Sequence, residues 1–562
     1  MKRILLSLLA SILLLTTLVS CTAPLVTPDA AGSAILGTGE DDEDNETVTI
    51  IPSGSDYADT KLLTQPKGTE LIVGNSNMDK NTAHTTDVSV YFPPLEEIIS
   101  KGRSEIPLYG IYAWFEDYNS YYEEIQDIGF TCLRTTLGRL CSYNAATDTA
   151  TYYDERFLLL TNDDIEVFVT TGIGTTAYLK PGAVPDGNGQ YKPSDFDVEA
   201  WIQAEIDTIL AFLRRYGPNG SFFTDYPDAK YHPITCIELY NEPNFGYMVK
   251  GDDATKREMY ARLQIGTYAA IKAEYPEVKI LGFGAGGANL ADIGFISATL
   301  NAFPAAATTM DILTTHPYLE EISPFAAMKG GTSLAGQLKR LRDIAKGAGI
   351  EDIPIWYSEC GWMIQTAEGG RYNMAWGSTQ VTQAAMLTQE YVFGMRMGIE
   401  RITYMYMMDT DNCNYGVVNY DGSRRLAAYA IETMIEILPN PLITKAIFEG
   451  KDKYGTVNGI FAYEVEPEPG ARPVTIVFTN CNPTTVSIPW DEPYAVVTDM
   501  VGSSILVEAD DGAITVDAGA CILYIRSVDQ VPNLDKVLAK PAPSVETDDA
   551  SAALAWDEKR YL

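Results

Sequence analysis

Ile237-Glu238-Leu239-Tyr240-Asn241-Glu242-Pro243-Asn244 is a largely apolar and aromatic run closed by Asn-Glu-Pro. Isoleucine, leucine and tyrosine suit a buried strand. Pro243 has no backbone N–H and cannot extend a ladder. The pattern predicts a strand that stops at Pro243, with Asn241 and Glu242 at its C-terminal tip. In an α/β barrel that rim carries the reacting groups.

Working outward, strand-like runs alternate with stretches of helical periodicity. Upstream lie strands over 108–114, 130–134 and 165–171, with a helix near 121–128. A long helix covers 199–216, where Ile202, Ile206, Ile209, Leu210 and Leu213 recur at helical spacing. Downstream lie a helix over 256–274 and strands over 278–283, 311–316, 353–359 and 401–407. Helices over 334–348, 379–397 and 426–437 separate and close them. Eight strand-and-helix units between 105 and 440 predict a (β/α)8 TIM barrel, with the quoted run as its fourth strand. Beyond Pro439 short strands with turns between them, clearest at 459–465, 474–478, 494–497 and 521–525, predict a C-terminal all-β sandwich over 441–528. The sandwich is expected to pack on the barrel. The tail, 529–562, is expected to be disordered. No internal repeat stands out.

Before the barrel the composition changes three times. Residues 1–21 have the layout of a secretory signal: Lys2 and Arg3, then an apolar stretch from Ile4 to Val19. Leu18-Val19-Ser20-Cys21 resembles the bacterial lipobox, which implies lipidation of Cys21 and anchoring to the membrane of a bacterial cell envelope, facing the periplasm or the exterior. Residues 22–57, with Gly39-Glu40-Asp41-Asp42-Glu43-Asp44 at their centre, read as an acidic flexible tether. Residues 58–104 hold two strand-like runs, 69–73 and 88–92. The net charge of -36 disfavours nucleic acid and anionic lipid as partners, because phosphate recognition needs basic patches. The cysteines after Cys21 match no zinc or redox spacing, and several lie in strand-like runs as small buried hydrophobes.

Cleaving a glycosidic bond takes two carboxyl groups. One protonates the departing oxygen, and the other attacks or activates water. Glu242 ends the fourth strand and Glu359 ends the seventh, in Trp356-Tyr357-Ser358-Glu359-Cys360-Gly361-Trp362. Those strands stand across the barrel, so their tips face each other. A retaining pair would be ~5–5.5 Å apart and an inverting pair roughly 6.5–9.5 Å. The chain has only three histidines, none paired at ligand spacing, and no phosphate loop or dinucleotide fingerprint, so no metal or cofactor is expected.

Asn241-Glu242-Pro243 at the fourth strand tip and Glu359-Cys360-Gly361-Trp362 at the seventh resemble glycoside hydrolase clan A, the retaining barrel glycosidases. Asn241-Glu242-Pro243-Asn244 and the C-terminal β-domain look most like family 39. The resemblance implies Glu242 as acid/base, Glu359 as nucleophile and Asn241 as the partner of the sugar 2-hydroxyl. His316-Pro317-Tyr318 resembles the clan's His-x-Tyr, which implies that Tyr318 holds Glu359 ionised, and Arg134 matches its second-strand arginine. The clan's eighth-strand tryptophan is missing. Tyr404-Met405-Tyr406-Met407-Met408-Asp409 stands there, leaving Tyr406 as a smaller platform. Trp114, Trp362 and Trp376 fall on the same rim, and Trp362 is the expected sugar contact, with core packing as the alternative. The expectation is a retaining β-glycosidase for an oligo- or polysaccharide. The alternative is a catalytically silent carbohydrate-binding lipoprotein on the same barrel.

Overall fold

The computed structural model describes residues 62–63 and 92–543, without 105–106, 114–117, 145–146, 163–164, 287–289, 319–322, 326–333, 365–379, 410–413, 420, 452–456 and 480–483. The signal and tether expected over 1–57, the strand expected at 69–73, Trp114 and Trp376 lie outside these residues. Of the run 88–92 only Phe92 lies inside them, and it precedes helix α1 (Leu95–Lys101). No helix among the described residues is long and apolar enough to cross a membrane.

The barrel begins with β1 (Tyr109–Tyr112), α2 (Tyr118–Ile128) and β2 (Cys132–Thr136). A hairpin of β3 (Cys141–Asn144) and β4 (Thr149–Tyr152) then interrupts it, followed by α3 (Asp154–Asn162) and β5 (Glu166–Thr170). Next come α4 (Val198–Tyr216), the short α5 (Phe222–Asp225), β6 (Cys236–Glu238), α6 (Asp253–Glu274) and β7 (Lys279–Gly286). The circuit closes with α7 (Leu290–Ala302), β8 (Ile312–His316), α8 (Leu334–Gly347), β9 (Ile355–Cys360), α9 (Gln380–Met397), β10 (Arg401–Tyr404) and α10 (Leu426–Ile437). Eight parallel strands form a closed ring in the order β1-β10-β9-β8-β7-β6-β5-β2, so each pairs with its neighbour in barrel sequence. Helix starts carry their caps: Asp197 accepts the Ala200 N–H at 3.2 Å, and Asp252 accepts that of Thr255 at 2.8 Å.

Strand alternation sets what fills the ring. Cys132, Phe168, Cys236, Leu281, Ile312 and Trp356 make one interior layer. Beside it, Arg401 lies over the Trp356 ring at 4.3 Å and pairs with Glu166 at 2.8 Å. Two residues further along each strand, the period of a pleat turns Arg134, Glu238, Thr314 and Ser358 inward as well. All four are fully buried.

Two bulges disturb this alternation near the C-terminal rim. Against β8, β7 carries an extra residue between Gly282 and Ala285; against β10, β9 carries one between Tyr357 and Cys360. A bulge reverses the facing of the residues beyond it. Ser358 and Glu359 therefore both reach the interior. The fourth strand is shorter than expected. It ends at Glu238 rather than at Pro243, because Tyr240 and Glu242 take left-handed backbone angles (φ 66° and 49°). Phe283 on the neighbouring strand does the same, at φ 79°.

The C-terminal unit is a β-sandwich. Strands β11 (Leu442–Lys451), β12 (Val457–Glu466), β13 (Val474–Thr479), β14 (Thr484–Pro489), β15 (Tyr494–Thr498), β16 (Ser504–Glu508), β17 (Ala513–Ala518) and β18 (Leu523–Ser527) divide between two sheets. One has the order β11-β12-β13-β18-β15-β16 and the other pairs β14 with β17. Val477, Val486, Ile488, Val497, Ile514 and Leu523 fill the space between them. The sandwich packs on the barrel through α9, all of whose residues are buried. Gln389 donates to the Ala520 carbonyl at 2.8 Å, and Arg396 pairs with Glu449 at 2.5 Å. Phe325 meets Phe393, Phe461 and Phe478 at ring separations of 5.4, 4.6 and 5.0 Å. Leu63 joins the sandwich too, its N–H donating to Asp499 at 2.9 Å.

The start of the tail differs from the disorder expected of it. Gln530 caps Ser527 at 2.9 Å and donates to the Arg472 carbonyl at 2.8 Å. Helix α11 (Leu534–Leu538) follows beside β16. Cys132, Cys141, Cys236, Cys360 and Cys521 are free and buried.

Candidate active site

Arg134 is the hub of the C-terminal rim. From β2 it reaches three partners across the barrel. Nε and Nη2 donate to Glu238 Oε2 at 2.9 and 2.6 Å, Nη1 to Glu359 Oε1 at 2.5 Å, and Nη2 to Asn241 Oδ1 at 2.8 Å. The Tyr112 ring lies 5.2 Å away. The guanidinium is fully buried, so two carboxylates compensate it where water cannot.

Glu359 is held from two further sides. Tyr318 donates to its Oε2 at 2.8 Å and also reaches Met405 Sδ at 2.9 Å. His316 Nδ1 lies 3.5 Å from the same oxygen. Burial alone would raise the Glu359 pKa, but His316, Arg134 and the Tyr318 hydroxyl outweigh it and keep the carboxyl below the usual glutamate value.

Glu242 stands beyond the shortened β6. Its N–H donates to the Gly284 carbonyl at 3.0 Å, continuing the ladder past the left-handed residues. Asn244 clamps the next turn: it donates to the Gly286 carbonyl at 2.9 Å and accepts that residue's N–H at 3.0 Å. The Glu242 side chain fits only because residue 286 is glycine. A Cβ there would come within 2.3 Å of Glu242 Oε1. Burial, with the charge of Glu359 adding to it, raises the Glu242 pKa despite opposition from His316.

His316 links the two glutamates. Nδ1 lies 3.2 Å from Glu242 Oε1 and Nε2 lies 3.0 Å from Ser358 Oγ. Burial works against charging the imidazole. The two glutamates override it and raise its pKa above the ordinary histidine value. One oxygen of Glu242, one of Glu359 and a His316 nitrogen all lie within 4.8 Å of one another.

The expected residues thus divide by exposure. Asn241, Glu359 and Met405 line a cavity of about 460 Å³ that opens beside Tyr112 and the loop after β2. With its oxygen taken by Arg134, Asn241 has its amide N–H groups to offer a ligand. Arg134, His316, Trp362 and Tyr406 are all almost fully buried. Arg134 and His316 lie wholly behind the carboxylates, touching protein groups. Trp362 is 1 % exposed and packs in the barrel core, its carbonyl accepting from Gln383 at 3.0 Å and Tyr404 at 3.3 Å. Tyr406 is 2 % exposed and meets Tyr112 edge-on at 5.6 Å. Glu238, Ser358 and Asn244 were not anticipated. Glu238 left a signal, because a carboxylate between Ile237 and Leu239 in a buried strand requires a cation. A larger hollow, about 600 Å³, lies at the opposite mouth of the barrel among Arg103, Thr131, Pro354 and Glu400, near the strand starts. Glu242 and Glu359 do not line it.

No protein-family model matches this chain. No curated protein matches it. Solved structures do. A family 39 glycoside hydrolase from the gut symbiont Bacteroides cellulosilyticus WH2 is 18% identical over 74% of this chain and 80% of its own, with a TM-score of 0.57. An alpha-L-arabinofuranosidase from Thermotoga maritima, solved as an arabinose complex, is 11% identical over 76% of this chain and 97% of its own, with a TM-score of 0.52. At these identities the likeness is one of fold.

Proposed function

We propose that this chain is a retaining β-glycoside hydrolase that cleaves an oligo- or polysaccharide by double displacement. One observation carries the reading: two glutamates on facing strand tips bring their oxygens within 4.8 Å of each other, and their surroundings shift the pKa of Glu242 up and that of Glu359 down. Retaining pairs stand ~5–5.5 Å apart, and inverting pairs keep roughly 6.5–9.5 Å for a water. Carboxyl oxygens within 4.8 Å of each other favour the retaining alternative. The fold shared with glycoside hydrolases supports the substrate class.

The chemistry follows from the pKa directions. Glu359, ionised, attacks the anomeric carbon as the glycosidic bond breaks. Glu242, protonated, gives its proton to the departing oxygen. Once Glu359 is esterified its charge is gone, and so is one cause of the raised Glu242 pKa. Glu242 then takes a proton from water, which attacks the anomeric carbon and frees Glu359. The Asn241 amide faces the hydroxyl beside the anomeric carbon, a contact worth most where it strengthens in the transition state. A panel of aryl β-glycosides and polysaccharides tests the assignment. Glu359→Gln should lower turnover by about 10³-fold or more while sugar binding persists. An unchanged rate would remove Glu359 from the mechanism. We also infer that Cys21 is lipidated and anchors the enzyme in a bacterial cell envelope, on the strength of the apolar run from Ile4 to Val19 and the Leu18-Val19-Ser20-Cys21 motif.

A further inference from the structure

The two carboxyls at the rim are held unequally. That of Glu359 is bonded by Arg134 at 2.5 Å and by Tyr318 at 2.8 Å. That of Glu242 has one hydrogen-bond partner among the described residues, His316 Nδ1 at 3.2 Å from Oε1. The ladder and the Asn244 clamp fix the backbone of Glu242 and its turn. The direction of its side chain is left to the imidazole.

The imidazole has a partner on its far side. Nε2 lies 3.0 Å from Ser358 Oγ, and both residues are fully buried. A half-turn of the ring about its Cβ–Cγ bond would put carbons where both nitrogens stand, so the orientation holds only while each nitrogen keeps its partner. Nδ1 faces a carboxyl that gains and loses a proton in the reaction. Ser358 is the partner that the reaction leaves unchanged. It reaches the histidine because of the bulge on β9, which turns inward the residue next to Glu359 that strand alternation would send to the other face.

We propose that Ser358 is a positioning residue for proton transfer: acting through His316, it aims the Glu242 carboxyl at the departing oxygen. One strand tip then supplies the nucleophile and also aligns the acid across from it. The proposal rests on the hydrolase reading for the reaction it serves. It is tested with phenyl and 2,4-dinitrophenyl β-xylosides and β-glucosides, by kcat/KM, which reports the steps up to cleavage of the glycosidic bond. Dinitrophenolate departs without a proton, whereas phenolate needs the acid. Ser358→Ala should lower kcat/KM about tenfold for the phenyl glycosides and less than about twofold for the dinitrophenyl ones. Ser358→Thr keeps the hydroxyl and should recover most of the loss. An equal loss on both leaving groups would mark a general disturbance of the site, and no loss would mean that the carboxyl is aimed without Ser358; either overturns the proposal. A second measurement needs no turnover. In protein carrying isotope-labelled histidine, the His316 Nε2 resonance, one of three such signals, should shift in Ser358→Ala and stay near its parental position in Ser358→Thr. An unmoved resonance overturns the proposal by itself. A parent protein that hydrolyses no glycoside overturns the hydrolase reading and the proposal with it, whereas an equal loss on both leaving groups overturns the proposal alone.

Discussion

Glu242 and Glu359 share an imidazole, and what separates them is the Arg134 guanidinium. It touches Glu359 at 2.5 Å and has no bond to Glu242. Replacing it by methionine removes a cation that holds the Glu359 pKa down and leaves Glu238 buried without its partner. The acid limb of kcat/KM, where activity rises as Glu359 loses its proton, should move to higher pH. The alkaline limb, where activity falls as Glu242 loses its proton, should move less. Urea unfolding should show a loss of about 3–5 kcal/mol from the broken buried pair. Arg134→Lys keeps the charge but not the fork, so it should shift the acid limb less than methionine does. A pH–rate profile in which methionine leaves the acid limb in place would separate Arg134 from the nucleophile's charge. At this scale the sequence was most legible where a polar side chain sits at a strand tip, as with Glu242, Glu359 and Tyr318, which the structure brings together. It was least legible where a role depends on reaching across the barrel. Nothing local to Ser358 indicates that it steadies the histidine between the glutamates. Likewise the rim position of Trp362 suggested a sugar contact, whereas the turn after β9 folds its ring into the core.

Among the elements, the bulges on β7 and β9 matter most, because they bring residues of both parities to one rim. The cost of the left-handed angles at Tyr240, Glu242 and Phe283 is of order 1–3 kcal/mol each, and such strain persists only where the surroundings over-determine it. Here the surroundings are specific: Thr314 accepts the Gly284 N–H at 2.8 Å and donates to the Gly282 carbonyl at 3.0 Å, while Asn244 clamps Gly286. Gly286→Ala tests whether the seat of Glu242 depends on this close approach. The added methyl would displace the carboxyl, so kcat should fall by about 10²-fold with KM little changed and the thermal melt nearly preserved. Equal kcat would mean the carboxyl has room to move. Apolar runs and helical periodicity revealed all eight barrel strands. They did not reveal the β3–β4 hairpin, whose strands are short, polar and half-exposed, nor the bulges, which depend on register with a neighbour. Pro243 bars further pairing on chemical grounds that still hold, but Tyr240 leaves the ladder first.

In the whole molecule the sandwich and barrel share one core across α9, which explains why that helix lacks a polar face and why its sequence reads as apolar with scattered glutamines. Gln389 spends its amide on the sandwich backbone. The chain leading up to the barrel also meets the sandwich, where Leu63 bonds to Asp499. The proposed lipid on Cys21 therefore pulls on a chain that joins the folded body at the sandwich. Cell fractionation and detergent phase partition should find Cys21→Ala in the soluble fraction with unchanged glycosidase activity. Continued membrane association of that variant would end the lipoprotein reading.

The buried thiols give the molecule one more property. Cys132, Cys236 and Cys360 belong to barrel strands, Cys141 to the hairpin beside the cavity, and Cys521 to the sandwich. Burial pushes Cys236 up to about 11 and Cys141 up to about 12, so neither carries appreciable thiolate near neutral pH. An alkylating reagent meets these sulfurs only when the surrounding layer opens. With Cys413 and Cys481 replaced by serine, the barrel and the sandwich would each carry their own chemical record of opening, written at different cysteines of one chain.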